Sequence, residues 1–166
     1  MPITVEELVS ELEQEAATTR RVLARVPEDR LAWRPHPRSM SLGELSLHLA
    51  NLPDAIAGLA MLPEFDAATP VPLPEAASAA ELLATHDRSV AGAVSQLRAM
   101  GDAGLGEPWR LLRDGAEMMT MPRGALLRVL MLNHAYHHRG QLSVYLRLAE
   151  TPVPSIYGPS ADELPF

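Results

Sequence analysis

The sequence predicts an all-α fold, a four-helix bundle, and two observations carry that expectation. Proline and glycine divide the 166 residues into four helix-length segments. Hydrophobic residues make up 47% of the chain but aromatic ones only 4%, and Ala and Leu supply most of the apolar weight. Those two lose little on entering a helix, and few β-branched residues compete with them. A chain of this length suits one domain, 1–166, with a single core.

The first helix is expected from about Val5 to Val26. Thr4 can cap it, Glu6 and Glu7 suit its positive end, and Pro27 stops it. A loop with Pro35, His36 and Pro37 follows. Ser41-Leu42-Gly43-Glu44 is a capping-box pattern that opens a second helix reaching about Leu62. Pro53 lies inside that helix and should remove one backbone bond and kink it. Residues 63–77 carry Pro63, Pro70, Pro72 and Pro74, too rigid and too poor in donors for regular structure. They are long enough to cross the bundle, which predicts an up-down-down-up order with helices two and three parallel. Ser78 caps a third helix reaching about Met100, which Gly101, Gly104, Gly106 and Pro108 break. Residues 109–121 read as extended or irregular, with Met118, Met119 and Met121 as packing residues. Pro122 begins a fourth and longest helix ending near Glu150, and Pro152, Pro154 and Pro159 mark an extended tail.

Composition excludes several functions. The formal net charge is −7, which would not neutralise a row of phosphates, so nucleic acid is not an expected partner. All 14 basic residues are Arg, which removes Schiff-base chemistry and any lysine general base. There is no Cys, so disulfides, thiolate ligands and cysteine nucleophiles are absent. The acidic start lacks the pattern of a signal peptide, and no apolar run approaches the roughly 20 residues that span a bilayer. A cytoplasmic protein without membrane partners is the expectation.

The histidines carry the chemistry. His134 and His138 lie about 40° apart on the fourth helix and about 6 Å apart along it, so both can bend onto one ion. Leu127, Leu130, Met131, Gln141, Leu142, Tyr145 and Leu148 share their face, while Arg128, Arg139 and Arg147 fall on the far side. The pair therefore points into the core, where unpartnered imidazoles are costly. His48 shares a face with Glu44, Leu45, Leu52, Ala55 and Leu59 and also looks inward. Together the three make a facial site with positions left for water or substrate. His137 sits at the edge of the buried arc and could replace His138 as a ligand, although a place on the rim fits it better. His86 is a fourth ligand, a pocket base, or a packed histidine with a backbone partner. His36 reads as loop.

At these residues the sequence resembles the DinB/YfiT-like superfamily of metal-dependent enzymes, in the damage-inducible sense and not the polymerase of that name. The resemblance rests on four helices, an inward His in the second, His-x-x-x-His before Arg139-Gly140-Gln141, and the tail Pro152-Val153-Pro154-Ser155-Ile156-Tyr157-Gly158-Pro159-Ser160. It implies an up-down-down-up bundle, often a homodimer, with a divalent metal on residues that map onto His48, His134 and His138. Relatives include transferases and isomerases that use low-molecular-weight thiols, and others taken as hydrolases.

The leading expectation is an enzyme whose one divalent ion activates water or the thiol of a small cofactor. Three neutral imidazoles suit Zn or Ni first, then Fe or Mn. Ala135 stands where a zincin carries its Glu base, so a metalloprotease is not expected. The alternatives are a non-enzymatic metal-binding module of a stress response and a scaffold that binds nothing. The expected partners are a small-molecule substrate and a second copy of the chain, with Tyr136, Tyr157 and Phe166 as interface candidates.

Overall fold

The computed structural model describes residues 3–164. Its helices are α1 (Val5–Leu23), α2 (Leu42–Met61), α3 (Ala79–Leu105), α4 (Arg123–Leu126) and α5 (His134–Leu148). A π-helical segment, Leu127–Asn133, joins the last two without a break. A small sheet is present as well, so the expectation of a purely helical chain is corrected. Its strands are β1 (Glu64–Asp66), β2 (Pro108–Arg113) and β3 (Ala116–Pro122), in the order β1-β2-β3.

The helix starts follow from local chemistry. The Glu7 amide donates to Thr4 Oγ1 at 3.2 Å and the Thr4 amide to Glu7 Oε2 at 2.8 Å, a reciprocal capping box. Ser41 and Glu44 repeat it on α2 at 3.0 and 2.6 Å. Ser78 caps α3 and Pro122 precedes α4, both as expected. The ends moved. α1 stops at Leu23 rather than Val26, because the residue before Pro27 is pushed out of helical geometry. α3 runs on to Leu105 across a break at Gly101, whose φ of 66° suits a residue without Cβ. Past that break Asp102 accepts the Val5 amide at 2.7 Å, so the extension tethers the start of α1.

The sheet follows from a two-residue turn. Asp114 and Gly115 both have positive φ, 51° and 77°, the conformation of a tight hairpin. β2 and β3 pair antiparallel around it, from Arg113 opposite Ala116 to Pro108 opposite Pro122. Asp66 accepts the amides of Ala68, Asp114 and Gly115 at 2.9, 3.1 and 2.8 Å. These bonds hold its carboxyl below the usual range and fasten β1, parallel, to β2. The proline-rich stretch thus contains a strand that local donor counting does not reveal. Trp109 is buried on β2 and donates to the Leu59 carbonyl at 3.2 Å. Met121 packs on the core, but Met118 and Met119 are exposed rather than packing residues.

Two apolar clusters make the core, one around Leu8, Leu12, Leu97 and Trp109 and the other around Leu23, Leu45, Leu49 and Leu142. Pro53 lies inside α2, and the next amide, Asp54, donates to Ser89 Oγ on α3 at 3.0 Å. Asp54 meets Gly92, and Gly58 meets Gln96 further along. Both numbers rise together, so α2 and α3 point the same way. Glu6 pairs with Arg98 and Arg20 with Asp87, so α1 and α3 oppose each other. Among the described residues, no helix is long and apolar enough to cross a membrane.

Candidate metal centre

α2 and α5 pack together, and their contact brings His48, His134 and His138 into one cluster. One ligand atom from each lies within 4.8 Å of the others. The ring centroids of His48 stand 5.4 Å from His134 and 4.6 Å from His138, and those two are 4.3 Å apart. His138 is buried and the other two half-buried. The helical register that sets this up is local, since four residues on α5 separate the pair. The π segment ends where His134 begins, and the inferred core face holds across it. Leu127 and Met131 are fully buried, and Leu130 is half-buried and packed on the core. Downstream, Leu148 is 54% exposed while Leu146 and Ala149 are buried, so the inferred face does not hold at the end of α5.

Hydrogen bonding indicates what the cluster can do. Gln141 Oε1 accepts only, so His138 carries its proton on Nδ1, 2.7 Å away, and keeps a lone pair on Nε2. That Nε2 faces His134 Nε2 at 2.6 Å. His48 Nε2 and His134 Nδ1 are buried with no hydrogen-bond partner. Buried imidazole nitrogens without partners are costly, and the facing Nε2 atoms of His134 and His138 have room for one proton between them. A divalent cation would take the Nε2 lone pairs of all three rings together, with His134 then carrying its proton on Nδ1. Burial, reinforced by the neighbouring rings, lowers all three imidazoles from their usual value, His138 to about 4. All three are thus neutral near pH 7, the form that binds metal.

The remaining histidines separate cleanly. His137 is exposed and lies outside the cluster, its ring 5.0 Å from that of His138. His86 is buried but faces α1, with Nε2 3.1 Å from the Ala16 carbonyl, so it is the packed histidine with a backbone partner. His36 is exposed in its loop and accepts the Arg38 amide at 3.1 Å. The orienting role of Gln141 was not inferred from the sequence, although its spacing of three from His138 was visible.

Arg139 is the clearest correction. Expected on the outer side of the fourth helix, it is 1% exposed. It donates to the Glu15 carbonyl at 3.0 Å, Glu15 Oε2 at 2.6 Å, Thr19 Oγ1 at 3.2 Å and the Tyr157 hydroxyl. Tyr136 and Tyr157 both present ring faces to it. α1 and the tail cover this side, so α5 has two buried faces. Tyr136 also donates to Glu11 at 2.7 Å, Tyr157 is 71% exposed, and Phe166 lies outside the described residues.

A lined pocket adjoins the cluster. His48 forms part of its wall together with Asn51, Leu52, Ala55 and Ile56 of α2 and Val71 to Pro74 of the crossover.

Comparison with known proteins agrees with this architecture. A DinB-like protein from Bacillus cereus ATCC 10987 superposes with a TM-score of 0.73 at 24% identity, over 95% of this chain and 100% of that one. A DinB-like protein, YjoA, from Bacillus subtilis gives 0.67 at 20% identity, over 96% of each chain. At those identities the likeness is one of fold. The uncharacterized protein YrdA of Bacillus subtilis (strain 168) is 49% identical over 43 residues, 26% of this chain and only 25% of that protein's length. The sequence profile of the DinB family matches residues 1–164, and the chain belongs to that family.

Proposed function

We propose that this chain is a metal-dependent enzyme, with one divalent ion held by His48, His134 and His138. The observation that carries the reading is the approach of the Nε2 atoms of His134 and His138 to 2.6 Å beside the buried, unpartnered Nε2 of His48. Zn or Ni is the expected ion, ahead of Fe or Mn, given an all-nitrogen donor set. When bound, such an ion lowers the pKa of a coordinated water to near 7, or keeps a coordinated thiol as thiolate. The reaction class proposed is therefore hydrolysis, or transfer to a low-molecular-weight thiol. Gln141 holds the tautomer of His138, and α2 presents His48 from the opposite wall. Ala135 follows His134, so the Glu base that a zincin carries at that position is missing.

The setting proposed is one domain, a four-helix bundle of up-down-down-up order, which the helix directions above support. A homodimer is proposed too. Val144 and Leu148, one turn apart on α5, are 57% and 54% exposed and offer a face for a second copy. Light scattering that reports a monomer at high concentration removes the dimer. Metal analysis of untagged protein, followed by titration with Zn and Ni, tests the centre. Uptake of one ion per chain is expected, and no uptake near neutral pH overturns the reading.

A further inference from the structure

The pocket beside the cluster has a chemical character of its own. Its cavity is about 190 Å³, and none of its nine wall residues carries a fixed charge. Leu52, Ala55 and Ile56 form one side and Val71, Pro72, Leu73 and Pro74 the other. Asn51 is the one polar residue apart from His48. Val71 and Leu73 are 72% and 42% exposed, so apolar surface continues onto the mouth. An ammonium group placed there would lose its water, find no carboxylate among the walls and be repelled by a metal ion on His48. An apolar group would meet only contacts it favours. A cavity of about 150 Å³ takes up benzene, so this one suits a single ring or a short branched alkyl group.

We propose that this pocket, between α2 and the crossover, binds the uncharged, apolar part of the substrate and holds it against His48. The assignment rests on the metal-centre reading, because His48 belongs to both. It names the substrate class: a compound whose reacting end reaches the histidines and whose other end is a ring-sized neutral hydrocarbon group. Ala55 sits exposed on the pocket wall and away from the ligands, so a larger side chain there fills the cavity without entering the core.

The test uses the full chain loaded with zinc, labelled for amide spectroscopy, with toluene and benzylammonium as matched probes. Toluene should shift the amides of residues 51–56 and 71–74 saturably, and benzylammonium, which meets no carboxylate there and is repelled by the zinc, should bind about tenfold or more weakly. Ala55→Phe should abolish the toluene response while zinc affinity and the amide spectrum elsewhere stay unchanged. Zinc binding with no toluene response, equal affinity for benzylammonium, or toluene binding that survives Ala55→Phe each overturns the pocket and leaves the metal centre standing. Toluene binding without any zinc uptake overturns the metal centre, and with it the pocket's role beside a reacting group.

Discussion

His138 and Arg139 are consecutive residues on α5, both are buried, and the two sides they face differ in kind. Arg139 reaches carbonyl, carboxylate and hydroxyl acceptors on α1 and the tail, with two aromatic faces around it. Its charge is answered within the chain. On the histidine side, His48 Nε2 and His134 Nδ1 find no partner, and a pair of ring nitrogens converge. A buried polar group that is fully bonded reports on architecture. One left unbonded at a point of convergence reports on something that is meant to arrive.

That contrast can be broken experimentally. An outer hydrogen-bond partner of a ligand is worth about 10–100-fold in metal affinity, and a ligand about tenfold more. Replacing His48, His134 or His138 by Ala should therefore lower zinc affinity on the order of 10³-fold, about 4 kcal/mol, with the fold retained. A competition titration that finds His134→Ala as tight as the parent ends the distinction between the two faces. Arg139→Ala should act on stability instead, costing about 3 kcal/mol in urea unfolding, because it leaves the half-buried Glu15 without its counter-charge and empties a buried site. Unfolding that is unchanged would mean the network contributes nothing.

Smaller effects sharpen the contrast. Gln141→Ala should weaken zinc binding about tenfold by releasing the His138 tautomer, with little change in folding. In the metal-free protein the lowered histidines predict acid sensitivity. The folded rings have pKa values below the usual 6.5, so the unfolded chain takes up protons first. Stability should be flat above that value and fall as pH drops toward about 4, where His138 charges. Bound zinc should suppress the loss, and an apoprotein equally stable at pH 7 and pH 5 would contradict the burial argument. His137→Ala should change zinc affinity least of all, since that exposed ring lies outside the cluster. Parity of His137→Ala with His138→Ala would reassign the ligand.

Much of this was legible because it is local. The caps at Thr4, Ser41 and Ser78 depend on residues three positions away, and the facing of His134 and His138 depends on a helical turn. The Asp114-Gly115 turn was equally local, and its hairpin signal went unread among the glycines and methionines around it. The face of the fourth helix upstream of His134 was read correctly in spite of the π segment, since Leu127 and Met131 are fully buried and Leu130 packs on the core.

By itself the sequence determined where helices begin, which histidines look inward, and that no thiolate or lysine chemistry is available. Those follow from propensity, capping and composition, which act within a few residues or on the chain as a whole. Only the tertiary structure decided that Arg139 is buried, that Asp66 fastens a strand to a turn some fifty residues later, that His86 turns to α1, and that the crossover walls a pocket against His48. Each of these depends on a partner distant in sequence. A polar side chain's fate is set by whether an acceptor or a void stands opposite it once the helices have packed.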